Sequence, residues 1–182
     1  MILIGMCGKA NSGKDTVAHL LPWTASIAFA DPLYDAISAI LDVPVALLKD
    51  REFKEATIPW IGKSPREMLQ TLGTDWGRGM VCSDLWLKIA QRRIESGGNF
   101  VVVRDVRFDN EAEMILGMGG EVWRVDRPGA ETCVPHASEK GISDEFVTRV
   151  IRNAGALPEL AAEVRIACGD MVRAGKIKGS AA

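Results

Sequence analysis

Short unbroken apolar runs alternate along this chain with stretches whose apolar residues recur every three to four positions. An unbroken run bounded by turn residues reads as a strand covered on both faces, and the longer period reads as an amphipathic helix. Strands are predicted at residues 2–7, 27–29, 100–104, 121–125 and 147–152. Helix starts are equally visible. Asp31-Pro32 supplies a cap and an N1 proline ahead of Leu33, Ala36, Ile37, Ile40 and Leu41, and Ser64-Pro65-Arg66-Glu67 has the form of a capping box. Ser83 is placed to cap a helix carrying Trp86, Ile89, Ala90 and Ile94, which ends at Gly97-Gly98. A last helix, after Leu157-Pro158, sets Leu160, Ala161, Val164 and Ala167 on one stripe.

Strands alternating with helices predict an α/β fold, a five-stranded parallel sheet flanked by helices. Four of the five predicted strands open onto a polar or glycine-rich segment at their C-terminal end, the edge where such sheets bind ligands. The 182 residues, 47% apolar, suffice for one domain with insertions. Lysine and arginine total 22 against 24 acidic residues, a net charge of −2, so no general positive field invites a nucleic-acid polymer. Cys7, Cys82, Cys133 and Cys168 lie far apart without a C-x-x-C pair, as a reducing, cytoplasmic setting tolerates. Without a basic leader or a run near the roughly 20 apolar residues of a membrane span, no membrane partner is expected.

Chemistry enters at Gly8-Lys9-Ala10-Asn11-Ser12-Gly13-Lys14-Asp15-Thr16, between an apolar strand and the helical Val17-Ala18-His19-Leu20-Leu21. Glycines let the backbone wrap a phosphate, amide groups supply partial positive charge, and Lys14 reaches the β- and γ-phosphates. A nucleoside triphosphate site is predicted. Asp15 stands where such loops usually place a serine or threonine to bind magnesium, and the hydroxyl comes one residue later, at Thr16. Asp15 therefore reads equally as a helix-dipole partner.

The second predicted edge, Val101-Val102-Val103-Arg104-Asp105, ends an apolar strand in an acid, an arrangement suited to holding Mg2+ in part through water. Phosphoryl transfer needs alignment and charge neutralisation, which draws attention to Arg104, Arg107 and Arg127 at strand ends and to Arg66 on a capped helix. Arg66 and Gln70 are one turn apart, on a face opposite Met68, Leu69 and Leu72, and suit a nucleotide phosphate and base. Of Trp60, Trp76 and Trp86 in the same stretch, one is placed to stack on a base, while Trp86 lies on an apolar stripe and reads as core. The long segment from Arg127 to Glu139 reads as a lid, and Cys133 with His136 is too sparse for a metal site.

Together these motifs resemble the bacteriophage-type deoxynucleoside monophosphate kinases of the P-loop kinase superfamily. The likeness is carried by Gly13-Lys14-Asp15-Thr16, Phe29-Ala30-Asp31-Pro32-Leu33, Ser64-Pro65-Arg66 with Gln70 and Leu72-Gly73-Thr74. It continues through Asp105-Val106-Arg107-Phe108, Asn110-Glu111-Ala112, His136-Ala137-Ser138-Glu139, and Asn153 before Gly155. The resemblance implies an acceptor-binding helical insertion at 42–82 and a lid-like loop at 127–140. It implies that Gly8, Ala10, Asn11, Ser12, Gly13, Lys14, Asp15 and Thr16 hold ATP and that Asn153 and Gly155 approach the adenine. Asp31, Arg66 and Gln70 would face the monophosphate, with Trp76, Arg104, His136 and Glu139 also on the substrate side. Lys14, Asp105, Arg107 and Arg127 would act at the reacting phosphates, with Asp15, Thr16 and Asp105 toward Mg2+.

The expected reaction moves the γ-phosphoryl of MgATP to a deoxynucleoside monophosphate in the cytoplasm, that of the host if the chain is phage-encoded. A homodimer is left open. A kinase for dephospho-coenzyme A or a phosphomevalonate shares every phosphate-side argument, and a non-catalytic switch is the remaining alternative. The Asn-Lys-x-Asp motif of guanine switches is absent.

Overall fold

The computed structural model describes residues 1–23, 25–130 and 141–174. The chain forms two compact units, one made of Met1–Ala28 with Arg93–Ala182 and the other of Phe29–Arg92. The segment 42–82 falls within the second.

The first unit is built on a five-stranded sheet in the order β2-β3-β1-β4-β5, every pairing parallel. Its strands are β1 (Ile2–Cys7), β2 (Ala25–Ile27), β3 (Phe100–Val103), β4 (Glu121–Asp126) and β5 (Arg149–Arg152). β1 is central, and Leu3, Ile4, Met6 and Cys7 are all buried, as an unbroken apolar run predicts. On one side Ile4, Met6, Val102, Trp123 and Ile151 pack with Val17 of α1 (Lys14–Leu20) and Leu160, Val164 and Ala167 of α8 (Leu157–Arg173). Helix α7 (Asp109–Gly117) closes on β1, so near that a Cβ on Gly5 would stand 2.5 Å from Ile115 Cδ1. Arg149 ties β5 to α8 through Asp170 at 2.7 Å, and that bond holds the Asp170 carboxyl below its usual range.

Two strand limits differ from expectation. β2 lies at Ala25–Ile27 because this edge strand has only β3 to follow, and the ladder closes where Arg104 N–H reaches Ile27 O at 2.9 Å. β5 begins at Arg149, because Val147 still belongs to the turn around the 3-10 helix Asp144–Phe146 and its N–H donates to Asp144 O.

The second unit is helical: α2 (Asp31–Leu41), α3 (Val45–Lys49), α4 (Arg51–Glu55), α5 (Pro65–Gln70), a π-helix (Thr71–Val81) and most of α6 (Leu85–Glu95). Ile37, Leu48 and Leu69 form its small core, covered by Leu33, Tyr34, Leu41, Phe53 and Leu72. The capping box is present in full, with Glu67 N–H on Ser64 Oγ and Ser64 N–H on Glu67 Oε2 at 2.8 Å. Asp31 does not cap α2. The cap is Ala30, without a side-chain bond, so Asp31 occupies the first turn, where its charge complements the dipole. Helix α6 begins at Leu85, two residues after Ser83, whose hydroxyl donates to Asp84 Oδ1 at 3.3 Å.

The π-helix is the feature that helical periodicity alone does not predict. It has i→i+5 bonding, seen where Cys82 N–H reaches Gly77 O, and Gly73 and Gly77, about one turn apart, are the two buried residues of the segment. Buried Trp86 lies against both, its Nε1–H donating to Gly73 O at 2.7 Å and its Cε2 2.7 Å from where a Gly77 Cβ would be. The assignment of Trp86 to packing therefore holds, while Trp60 and Trp76 are exposed.

Candidate active site

β1 ends at Cys7 and the chain turns at once into residues 8–13 before α1 begins at Lys14. Gly8 has φ +134°, and a Cβ there would lie 2.5 Å from Val125 O at the end of β4. Gly13, in left-handed geometry with φ +98°, starts α1, and a Cβ there would run into the side-chain amide of Asn153. The turn is thus pressed between its own helix and the C-terminal ends of β4 and β5.

Lys14 folds across the loop. Its ammonium donates to Gly8 O at 2.8 Å and Lys9 O at 2.7 Å, which fixes the charge over the mouth of the turn. Ser12 Oγ is 1% exposed and has no hydrogen-bond partner among the described residues. A buried hydroxyl with unused bonding capacity beside a fixed ammonium suits a phosphate oxygen. Ahead of the loop, burial pushes the Cys7 thiol up to about 11 against the opposing pull of Arg124 and Lys14, so it stays protonated at neutral pH.

Further expected residues belong to the same unit. Arg127, just past β4, points Nη1 at Asn11 O at 3.4 Å. After β3, Val106 N–H reaches Met6 O at 3.0 Å, which lays the Asp105 segment along the end of β1 beside the loop. Arg107 follows, with its backbone N–H on Glu111 Oε2 at 2.9 Å. Buried Glu111 also receives Phe108 N–H, so one carboxylate fixes both the entry to α7 and the path of Arg107. That anchoring role went unseen in the sequence, although the acid three residues after Phe108 has capping-box spacing. Asn153 donates its side-chain amide to Ser12 O at 2.8 Å. Gly155 lies two residues ahead of α8, where a Cβ would strike the Glu159 carboxylate.

Asp31, Arg66, Gln70 and Trp76 belong to the helical unit. Arg66 is ion-paired with Glu55 of α4 at 2.6 Å, a partnership between distant residues that local spacing could not reveal. Both side chains are well exposed, so the pair contributes little stability, about 0–1 kcal/mol, and leaves Arg66 exchangeable. Trp76 is 45% exposed on the π-helix. His136 and Glu139, and with them most of the expected lid at 127–140, lie outside the described residues.

No group of three or more His, Cys, Asp or Glu among the described residues could by itself enclose a metal ion. Mg2+ keeps several waters and takes one or two carboxylates with phosphate oxygens. Thr16 and Asp15, exposed in the first turn of α1, and Asp105 are oxygen-bearing side chains that could hold such an ion. Among the described residues no helix is long and apolar enough to cross a membrane.

Several known proteins are similar to this chain. A protein of Acanthamoeba polyphaga mimivirus, provisionally named a deoxynucleotide monophosphate kinase, is 33% identical over 163 residues, covering 76% of this chain and 81% of its own. The deoxynucleoside-5'-monophosphate kinase of Escherichia phage T5 is 28% identical over 223 residues, covering 84% and 89%. Among solved structures, the dephospho-CoA kinase of Campylobacter jejuni shares the fold with a TM-score of 0.50 at 14% identity, over 97% of this chain and 98% of that one. The family model described as deoxynucleotide monophosphate kinase matches residues 56–164. This chain belongs to the deoxynucleotide monophosphate kinase family.

Proposed function

We propose that this chain transfers the γ-phosphoryl group of MgATP to a deoxynucleoside monophosphate, releasing ADP and the deoxynucleoside diphosphate. The observation that carries the donor side is the loop at residues 8–16, with the Lys14 ammonium fixed 2.7–2.8 Å from two of its carbonyls and the buried Ser12 hydroxyl on its floor. In this reading an oxygen of the acceptor's phosphate attacks the γ-phosphorus while the bond to the β-phosphate oxygen breaks. Lys14 and the loop amides hold the β- and γ-phosphates, and Arg107 and Arg127 offset charge that spreads over the transferring group. Asp105, Asp15 and Thr16 would hold Mg2+, which when bound supplies further charge neutralisation. Arg66 and Gln70 take the acceptor, Arg66 exchanging Glu55 for phosphate oxygens in bidentate geometry. Asp31 and Trp76 assist on that side. The small-molecule acceptor, the absence of a polymer partner and a cytoplasmic setting belong to the same reading.

A coupled ADP-release assay tests it with a panel of deoxynucleoside and ribonucleoside monophosphates and dephospho-coenzyme A. ADP release should rise above the ATP-only rate with deoxynucleoside monophosphates. A rise with dephospho-coenzyme A alone would overturn the assigned acceptor.

A further inference from the structure

We infer that Asn153 is a positioning residue of the phosphate loop, acting through the peptide between Ser12 and Gly13. The inference rests on the reading of residues 8–16 as a triphosphate site, but it makes a separate claim about how that site is shaped. Asn153 follows β5, and its backbone is anchored where its own N–H meets Asp126 O at 2.7 Å, past the last β4–β5 ladder pair. From that fixed base its Nδ2 donates to Ser12 O at 2.8 Å. Only the amide nitrogen can face a carbonyl, so the side chain has one productive orientation.

A trans peptide is planar, and its C=O and N–H point in opposite directions. Holding Ser12 O toward β5 therefore directs Gly13 N–H away from β5, into the turn that Lys14 crosses. Accepting a hydrogen bond at the carbonyl also polarises the peptide and strengthens that N–H as a donor. Gly13 is shaped for this contact: its φ of +98° disfavours other residues, and any Cβ would occupy the space of the Asn153 amide. Ser12 is sealed beneath the pair, 1% exposed. Asn153 thus serves whatever phosphate chain the loop holds, irrespective of the base attached to it.

The test separates this role from contact with adenine. Binding of MgATP and of magnesium tripolyphosphate, which has no base, is measured calorimetrically for the parent protein, Asn153→Ala and Asn153→Asp. Losing the bond should weaken both ligands by the same factor, about tenfold in the alanine variant. Asn153→Asp should weaken both further, because its carboxylate faces the Ser12 carbonyl and the phosphates alike. The KM of the monophosphate should stay within twofold of the parent. A loss confined to MgATP would overturn the inference in favour of an adenine contact. Unchanged binding of both ligands, with only a lowered thermal midpoint, would reduce Asn153 to a structural residue. If the alanine variant does not fold, the near-isosteric aspartate variant carries the same comparison. Tripolyphosphate that fails to bind the parent protein would instead overturn the triphosphate reading beneath it.

Discussion

The two units reach order by different means. In the sheet unit the loop is pinned by strand ends: β4 presses on Gly8 through Val125 O, and Asn153 beyond β5 bonds Ser12 O. Fully buried Ile4, Met6, Val102 and Trp123 lie directly beneath. In the helical unit Ile37, Leu48 and Leu69 form a small core among short helices, with caps and close contacts such as Ser64 with Glu67 and Trp86 with Gly73. Strand-end sites hold geometry to fractions of an ångström, which in-line transfer needs. Recognition of an acceptor tolerates softer scaffolding, because a bidentate arginine finds its phosphate by charge and fork geometry. The contrast predicts that damage to the first unit's site appears in turnover and damage to the second in acceptor binding or local stability.

The harshest trial is Lys14→Met. It should lower turnover about 10³-fold while the circular dichroism spectrum and thermal midpoint match the parent, because its ammonium bonds the loop carbonyls Gly8 O and Lys9 O and the apolar core lies elsewhere. Retained activity would detach the loop from catalysis. Next, Arg66→Ala should raise the KM of the monophosphate about 10- to 100-fold, the loss of a charge-assisted bidentate contact, with a smaller change in kcat. An unchanged KM removes Arg66 from the acceptor site and leaves it as the partner of Glu55.

Gly77→Ala probes stability in the helical unit alone. Its new Cβ meets the Trp86 ring, and overpacking of this kind costs about 1–3 kcal/mol, to be read from the urea midpoint. Donor binding should be unaffected, and a matched loss of MgATP affinity would erase the division of labour between the units. The gentlest measure is alkylation by iodoacetamide, resolved by mass spectrometry. Near pH 8 Cys82, whose thiol is lowered by the Asp84 backbone N–H and by Lys88, should react ahead of Cys7, raised to about 11 by burial. Equal rates would mean that the sheet beneath the loop opens as readily as the helical surface.

What the sequence disclosed follows from how local each cause is. β1, the capping box at Ser64 and the stripe of α8 depend on neighbours within a few residues, so the pattern of side chains shows them directly. The loop at residues 8–16 was legible for the same reason. β2 slid by two residues because an edge strand takes its limits from its single partner. The i→i+5 register from Thr71 to Val81 is held by the indole of Trp86, which no window of the π-helix itself contains. The pairing of Arg66 with Glu55 and the bond from Asn153 to Ser12 join residues 11 and 141 positions apart, and periodicity carries no information at that range.

The π-helix also bears on how the chain tolerates changes in length. Each of its turns carries more residues than the 3.6 of an α-helix, so deleting a single residue between Thr71 and Gly77 is the smallest edit that would let the backbone relax into ordinary α-geometry. Giving up one residue as a widened turn narrows keeps the flanking residues close to their original facing, so Gly77 would stay under the indole. A variant shortened there would keep nearly the same composition, helix content and seat for Trp86, so this largely solvent-facing stretch should lose one residue at less cost than an α-helix of the same length.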